Sequence, residues 1–172
     1  LDYGDRFCSG LLFWYHNCSM RQVSSRMWDW SLEPTASLYH TANSLEPLHV
    51  QFDYLKNTVS VVNDYYRTFT GYKVTAQVYD IHSRKVFEAA TTIDLPEDGV
   101  VNDVLTIRFP EDISQVHFIK LWLKDEKGKD VSSNFYWRSN DKYEGSKTLT
   151  GPASSGFETL NRLKAAQVKL SY

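Results

Sequence analysis

The sequence has few cysteines, no long apolar run and no excess of basic residues. Its 172 residues contain 2 cysteines, Cys8 and Cys18, on either side of an apolar run. A strand between them would hold the thiols roughly 30 Å apart, far beyond disulfide reach, so two thiols are expected. Lys and Arg number 19 against 21 Asp and Glu, which excludes the basic surface typical of nucleic-acid binding. The apolar run at residues 11–15 is far shorter than the ~18 residues of a membrane span.

Sequence patterns for metal binding and common catalytic machinery are also missing. The 5 histidines are scattered, without a pair at metal-ligand spacing, and no CxxC occurs. The sequence has no nucleophile elbow, HExxH, P-loop or GxGxxG motif. Asp29 and Glu33 are four residues apart, a spacing more typical of a solvated helix face than of a catalytic pair. We therefore expect no metal, no cofactor and no catalytic residue in this chain.

Aromatic residues are abundant and indicate a folded protein. They make up 15% of the chain, whereas disordered chains contain few of them. Hydrophobic residues at 42% are enough for a core at this length.

Seven runs with strand-like alternation predict an antiparallel β-sandwich. Turn signals separate them every 8–12 residues or so, the spacing of immunoglobulin-like domains. Gly128 lies in the connector before the last run, where a left-handed position would close a hairpin. Val74, Val78, Ile107 and Leu121 are expected in the core, and the missing Cys…Trp…Cys pattern excludes an antibody-type domain. The runs cover residues 48–55, 59–61, 72–78, 86–93, 105–109, 117–123 and 131–137.

The chain divides into three parts that differ in residue pattern and composition. Residues 1–46 predict one strand (11–16) and one helix after Pro34, which cannot close a core by themselves. Residues 47–138 contain the sandwich. Residues 139–172 combine a Gly/Ser-rich linker with the start of a further strand pattern. Both ends look cut, so we expect a piece of a longer protein whose compartment the sequence leaves open.

Four motifs, in order along the chain, resemble the carboxyl-terminal part of glycoside hydrolase family 2 enzymes. The nearest likeness is to the branch of exo-β-glucosaminidases and β-mannosidases. The motifs are residues 10–17 (GLLFWYHN), similar to the last barrel strand; 29–34 (DWSLEP); 46–51 (EPLHVQ), at the exit from the last barrel helix; and 133–137 (SNFYW), at the end of the following sandwich. A Trp-Pro-Ser segment of that family is replaced here by residues 18–25 (CSMRQVSS).

The resemblance implies a mainly β fold: an immunoglobulin-like antiparallel β-sandwich, preceded by the last strand-helix unit of a (β/α)8 barrel. The parent would be a retaining exo-β-glycosidase acting on a carbohydrate substrate. Both catalytic carboxylates of the family lie on earlier barrel strands, so this chain would be a structural, non-catalytic piece. Trp14 is the candidate substrate-binding residue, as an aromatic wall at the carboxyl end of a barrel strand. A core position of that strand is the equally weighted alternative.

The other tryptophans are interpreted structurally. Trp122 and Trp137 are expected to pack in the sandwich, and Trp28 and Trp30 to anchor the barrel helix. The expected partners are the rest of the barrel and, through a strand without neighbours, a second copy of the chain. A free-standing sandwich that binds carbohydrate or protein is the alternative function, although such a module has no need of residues 10–46.

Overall fold

The computed structural model describes residues 12–13, 16–21 and 26–140. The chain divides into two compact units, Leu1–Glu46 and Pro47–Tyr172, each described by itself below.

The first unit contains one helix within its described residues. Helix α1 spans Ala36–Ser44, as its apolar spacing predicts, with Thr35 as the extended N-cap residue. Pro34 lies before the cap and pairs with Trp28 in an isolated β-bridge, so it is not in the first helical turn. No residue of α1 is buried, and Tyr39 and Leu45 at its end are 63% and 73% exposed. Burial within the described unit therefore contributes little to this helix.

The strand expected over residues 11–16 is not seen where the structure describes that segment. Leu12 and Phe13 lie in neither helix nor strand and are 98% and 54% exposed, and His16 lies in a bend. The His16 carbonyl accepts a hydrogen bond from the Trp28 backbone N–H at 3.2 Å, but none of the described residues of this segment lies in a strand. Residues 11, 14 and 15 lie outside the described residues.

The second unit is an antiparallel sandwich of seven strands within its described residues. A three-stranded sheet has the order β1-β2-β5, and a four-stranded sheet has the order β4-β3-β6-β7. This arrangement of short antiparallel strands in two sheets is immunoglobulin-like, which confirms the predicted fold of the sandwich. The strands are β1 (Leu48–Asp53), β2 (Thr58–Asn63), β3 (Phe69–Asp80), β4 (Lys85–Leu95), β5 (Gly99–Thr106), β6 (Val116–Lys124) and β7 (Asp130–Ser139).

The core lies between the two sheets and is built mainly from alternate residues of the strands, with Ile107 and Ile113 added from the segment between β5 and β6. The four residues expected there, Val74, Val78, Ile107 and Leu121, are all buried. Alternation places their strand neighbours on the opposite faces. The buried cluster consists of Leu48, Val50, Phe52, Val59, Val61, Val74, Ala76, Val78, Leu95, Ile107, Ile113, Ile119, Leu121 and Leu123.

Strand β5 lies earlier in the chain than its pattern predicts. The expected run was 105–109, but β5 is Gly99–Thr106. Val61 pairs with Val101 and Val59 with Leu105, so β5 contains extra residues opposite β2. Asp103, in this irregular stretch, has a positive φ of 55°. Such a bulge interrupts the two-residue period, which is why the alternation is visible only after it.

Side chains of β7 cover the free edge of β1, which is an edge strand of its sheet. The Ser132 hydroxyl accepts the Val50 N–H at 3.3 Å, and the Asn134 amide donates to the Val50 carbonyl at 3.3 Å. The Tyr136 hydroxyl accepts the Phe52 N–H at 3.1 Å. These three residues alternate along β7, so one face of that strand pairs the backbone groups that the edge of β1 would otherwise leave open.

Aspartates close two of the hairpins. The Asp53 carboxylate accepts the N–H groups of Leu55 and Lys56, at 2.7 and 3.1 Å. The Asp125 carboxylate accepts those of Lys127 and Lys129, at 2.9 and 2.8 Å. Gly128 has a φ of 83°, which confirms the left-handed position predicted for the hairpin between β6 and β7.

Candidate functional site

Three described aspartates of the sandwich are engaged in local structure. Asp53 and Asp125 hold their turns, and the side chain of Asp80 is 5% exposed and caps the turn between β3 and β4. It accepts the N–H groups of His82 and Arg84, each at 2.9 Å, and the Arg84 guanidinium at 3.0 Å. Burial alone would raise the pKa of Asp80, but these hydrogen bonds lower it overall. An ionised carboxylate of this kind does not supply the protonated acid that glycoside cleavage requires.

Asp29, the first residue of the DWSLEP motif, organises a loop. Its carboxylate accepts the N–H groups of Ser31 at 2.8 Å and of Glu33 at 3.0 Å. Hydrogen bonds from the Ser31 side chain and the Glu33 backbone lower the pKa of Asp29. Asp29 and Glu33 do not share a helix face, because both precede α1. The motif therefore fixes a turn.

Other residues of the barrel-like motifs line a shallow depression in the first unit. The opening has a volume of about 280 Å³ and is lined by His16, Asn17, Trp28 and Leu32. The centres of the His16 and Trp28 rings are 6.5 Å apart. The backbone N–H of Trp28 donates a hydrogen bond to the backbone carbonyl of His16 at 3.2 Å. Trp14, the predicted substrate-binding residue, lies outside the described residues, so its role stays a prediction. Cys8 also lies outside them, while Cys18 is buried.

Trp122 and Trp137 are on the outer side of the four-stranded sheet, which corrects the expectation that they pack inside the sandwich. Trp137 pairs across the strands with Phe118, while Phe135 and Trp122 pair with Lys120 and Ser133. In β6 these residues alternate with the buried Ile119, Leu121 and Leu123, so they occupy the outer side of the four-stranded sheet. We call Phe118, Trp122, Phe135 and Trp137 the aromatic face.

Three rings of the aromatic face are in contact through Phe118, and Phe135 and Trp137 remain accessible. Phe118 stacks on Phe135 with centroids 5.7 Å apart and meets Trp137 edge-on at 6.5 Å. The Lys120 ammonium lies 4.6 Å from the centre of the Trp122 ring. Phe135 and Trp137 are 48% and 56% exposed. An exposed group of large aromatic side chains in contact is typical of an interaction surface.

Polar side chains on β3 and β4 continue the same side of the sheet. The Tyr79 hydroxyl donates to the Gln77 amide oxygen at 2.5 Å, and the Gln77 amide donates to Glu88 at 3.0 Å. Lys85 forms an ion pair with Glu88. The hydrogen bonds from Lys85 and Gln77 lower the pKa of Glu88. The polar groups of these side chains are therefore hydrogen-bonded or ion-paired with one another.

A second depression lies at the end of the sandwich where β3 begins. It has a volume of about 350 Å³ and is lined by both polar and aromatic side chains. The Arg67 guanidinium lies 4.4 Å from the centre of the Phe69 ring and 5.7 Å from that of Tyr65. The lining residues are Arg67, Thr68, Phe69, Thr70, Tyr72, Asp125, Glu126 and Lys127.

The sequence contained a signal for the aromatic face. In 117–123, alternation separates Ile119, Leu121 and Leu123 from Phe118 and Trp122, so both sides carry large apolar residues. In 131–137, the side with Phe135 and Trp137 is the more apolar one, because the other side carries Ser132, Asn134 and Tyr136. The pattern therefore does not tell which side faces the partner sheet. Among the described residues, no group of three or more His, Cys, Asp or Glu is arranged to hold a metal ion. Likewise, none of their helices has the length and apolarity needed to cross a membrane.

The fold and its outer face define a class of protein: one that carries an immunoglobulin-like β-sandwich domain. The model of the Mannosidase Ig/CBM-like domain family matches residues 56–143, about half of the chain. The chain belongs to this family. Its expected likeness to the exo-β-glucosaminidase and β-mannosidase branch of glycoside hydrolase family 2 is confirmed.

Two curated relatives illustrate the likeness in sequence. An exo-β-D-glucosaminidase of Amycolatopsis orientalis is 25% identical over 132 residues, which cover 76% of this chain and 13% of that protein. An exo-β-D-glucosaminidase of Hypocrea jecorina is 22% identical over 172 residues, covering 96% of this chain and 19% of that protein. The chain thus spans less than a fifth of the length of either relative.

Solved structures show the same fold. An exo-chitosanase of Amycolatopsis orientalis superimposes with a TM-score of 0.70 at 24% identity, covering 78% of this chain and 16% of that one. A β-D-mannosidase from Dictyoglomus thermophilum gives a TM-score of 0.57 at 21% identity, covering 73% and 16%. At such identities the likeness establishes the architecture.

Proposed function

We propose that this chain is a non-catalytic, carboxyl-terminal part of a retaining exo-β-glycosidase, in which its sandwich buttresses the catalytic barrel. One observation carries the proposal. The chain aligns over 76% and 96% of its length with two exo-β-D-glucosaminidases, but over only 13% and 19% of theirs. A sequence matched almost wholly by a small part of a larger enzyme is expected to serve as one of that enzyme's domains.

The carboxylates of the sandwich support the non-catalytic part of the proposal. Retaining glycosidases hold two carboxyl groups ~5–5.5 Å apart, one of them protonated and one ionised. Here Asp53, Asp80 and Asp125 accept backbone N–H groups of their own turns. At Asp80, burial opposes ionisation, but the hydrogen bonds lower the pKa overall and so favour the ionised form. Cleavage would then depend on residues elsewhere in the longer polypeptide.

Within the same proposal, residues 1–46 are the end of a (β/α)8 barrel that includes the last strand and helix. Two features support this: the barrel-like motifs at 10–17 and 29–34, and helix α1, which buries none of its residues. Residues 139–172 would lead into a following sandwich. The remainder of the barrel is then the chain's main partner, and no cofactor takes part.

Trp14 is proposed as a substrate-facing aromatic residue of that barrel. Its support is the position of the motif residue it matches, at the carboxyl end of a strand, where active sites of this fold lie. In the longer polypeptide, Trp14→Ala should lower kcat or raise KM for an aryl β-glycoside. The exposed sandwich variant Leu55→Ala serves as the control. Equal kcat and KM values for both variants would indicate that Trp14 packs in the barrel and does not contact substrate.

A carbohydrate-binding sandwich is the second candidate function, and the exposed Phe135 and Trp137 are the observation that favours it. Aromatic rings on a sheet surface offer apolar area to sugar faces. Calorimetry with oligosaccharides of β-linked glucosamine would test it on the 172-residue chain. Binding that Trp137→Ala abolishes and Leu55→Ala leaves unchanged would support this function in place of buttressing.

Hydrolysis assays test the main proposal directly. The 172-residue chain and the longer reading frame that contains it are each incubated with aryl β-glucosaminide, β-mannoside and β-galactoside. We expect release only from the longer polypeptide. Release by the 172-residue chain that survives repurification, and disappears on mutation of one of its own carboxylates, would overturn the proposal. So would a longer polypeptide that is inactive towards all three.

A further inference from the structure

The aromatic face leaves a large part of two aromatic rings exposed, although the core of the sandwich is already covered by the other side of the sheet. Phe135 and Trp137 are 48% and 56% exposed, although Ile119, Leu121 and Leu123 on the inner side of the sheet are fully buried. Trp and Phe are enriched at the centres of protein interfaces, and a group in mutual contact marks such a surface more clearly than a single ring. Something is therefore expected to cover this side of the sheet.

The geometry of the rings favours a protein partner over a sugar chain. Phe118 and Trp137 meet at an interplanar angle of 89°, so they do not form one flat platform. The nearby polar groups are also occupied: Gln77 bonds both Tyr79 and Glu88, and Lys85 pairs with Glu88. A sugar needs free donors and acceptors beside the rings, whereas a protein surface can fill the angle between them with apolar side chains.

The size of the patch favours a tethered partner over an independent one. A large aromatic side chain buries ~150–250 Å², so two half-exposed rings offer only about 200 Å². An independent partner or a second copy needs about 800 Å² on each side. A domain of the same polypeptide already has a high effective concentration, of millimolar order for a short linker, and needs far less. The two curated relatives contain such polypeptide, since the chain covers 13% and 19% of them.

We propose that the aromatic face is the surface through which this sandwich docks on the catalytic part of the same, longer polypeptide. The inference rests on the proposed function and assigns residues to it. Trp137 and Phe135 lie at the centre of the contact, and Phe118 contacts both rings. Lys120 and the Gln77–Glu88 pair form its polar rim. Removing the Trp137 ring would then weaken docking without disturbing the sandwich core.

Hydroxyl-radical oxidation read by mass spectrometry tests this at single residues. The 172-residue chain is compared with the longer polypeptide, and Tyr66, which is 86% exposed, serves as the internal reference. We expect Trp137 to be oxidised at least about fivefold more slowly in the longer polypeptide, because docking excludes water from the centre of a contact, with Tyr66 changed less than about twofold. Equal oxidation of Trp137 in both proteins would overturn the proposal.

The same measurement identifies the other occupants. Protection in the 172-residue chain that grows with its concentration would indicate a second copy. Protection that requires added glucosamine oligosaccharide would indicate a sugar site. Either result would overturn docking on the catalytic part. Hydrolysis of aryl β-glucosaminide by the longer polypeptide without protection of Trp137 would refute this inference and leave the proposed function standing. Protection without hydrolysis would support docking and count against the proposed function.

A pair of variants gives a second, independent readout. Trp137→Ser and Leu55→Ser both truncate exposed side chains, so each should change the Tm of the 172-residue chain by less than about 2 °C. In the longer polypeptide, Trp137→Ser should lower the Tm at least about 4 °C more than Leu55→Ser, since only Trp137 is in the contact. Equal effects there would contradict the proposal.

Discussion

The Tyr136 hydroxyl accepts the backbone N–H of Phe52 at 3.1 Å, which joins the edge strands of the two sheets across 84 positions of sequence. The two rings also contact, with centroids 5.8 Å apart. Burial raises the pKa of the Tyr136 phenol, which therefore stays protonated at neutral pH. Tyr136 belongs to the SNFYW motif. That motif thus serves to close the sandwich through Asn134 and Tyr136, while its Phe135 and Trp137 point outwards.

Tyr136→Phe should destabilise the sandwich by about 1–2 kcal/mol, because the Phe52 N–H loses its acceptor while the ring packing is kept. Urea unfolding of the 172-residue chain at neutral pH measures the loss. Tyr66→Phe is the matched control, since Tyr66 is 86% exposed, and should change stability by less than about 0.5 kcal/mol. If the two variants were equally stable, the hydroxyl would not contribute to closing the edge.

His117 should make the sandwich less stable in mild acid. Its ring is fully buried, 5.0 Å from Phe109, and within the described residues Nε2 has no hydrogen-bond partner. Burial lowers the pKa of His117, as does the nearby charge of Arg138, although a contact with the Ser114 carbonyl opposes this. The unfolded chain therefore takes up the proton first. Stability should be constant above pH ~6.5 and fall below it.

Urea unfolding between pH 8 and pH 5 checks this slope. His117→Gln should flatten it, even if the variant is less stable at every pH. His82→Gln, at an exposed histidine, should retain the slope of the parent chain. An unchanged slope in His117→Gln would assign the acid sensitivity to another group.

Asp80→Asn should destabilise the sandwich by about 2–3 kcal/mol at neutral pH. The turn donates three hydrogen bonds to the two oxygens of the Asp80 carboxylate, whereas an asparagine amide has only one acceptor oxygen. The substitution also removes the negative charge that strengthens these hydrogen bonds. Because the folded pKa of Asp80 is lowered, its contribution is complete above the unfolded value of ~3.9 and is lost as pH falls below it. The difference between parent and variant should shrink there. Asp112→Asn, at an exposed position, is the control, and an equal loss in both would contradict the capping role.

Asn63→Asp should be the most damaging of these changes, at about 3 kcal/mol or more. The fully buried Asn63 amide donates to the carbonyls of Arg67 at 2.9 Å and Pro96 at 2.6 Å. An aspartate would turn a buried negative charge towards those two oxygens. Asn102→Asp makes the same chemical change at an exposed site and should cost less than about 0.5 kcal/mol. Comparable unfolding midpoints for the two variants would show that the Asn63 amide does not stabilise the loops that contain Arg67 and Pro96.

Local pattern was enough to predict the seven strands and the hairpin at Gly128. Alternation of side chains along a strand is a property of neighbouring residues, and so is the turn formed by a glycine with positive φ. The same locality explains the error at β5. At the bulge, the Asp103 carboxylate accepts a hydrogen bond at 2.6 Å from the hydroxyl of Thr58, which is 45 positions away. No window of sequence around residue 103 contains that partner.

The sequence by itself thus determined the seven strands of the sandwich, the identity of the core positions Val74, Val78, Ile107 and Leu121, and the likeness to one family. Only the tertiary structure decided which apolar side of β6 and β7 is covered. Both sides of β6 carry large apolar residues, and in β7 the covered side, with Ser132, Asn134 and Tyr136, is the more polar one, so alternation does not identify the inner side. The partner sheet packs on Ile119, Leu121 and Leu123, which leaves Phe135 and Trp137 outside. That choice depends on how two sheets meet in space, a contact between residues that are far apart in the chain.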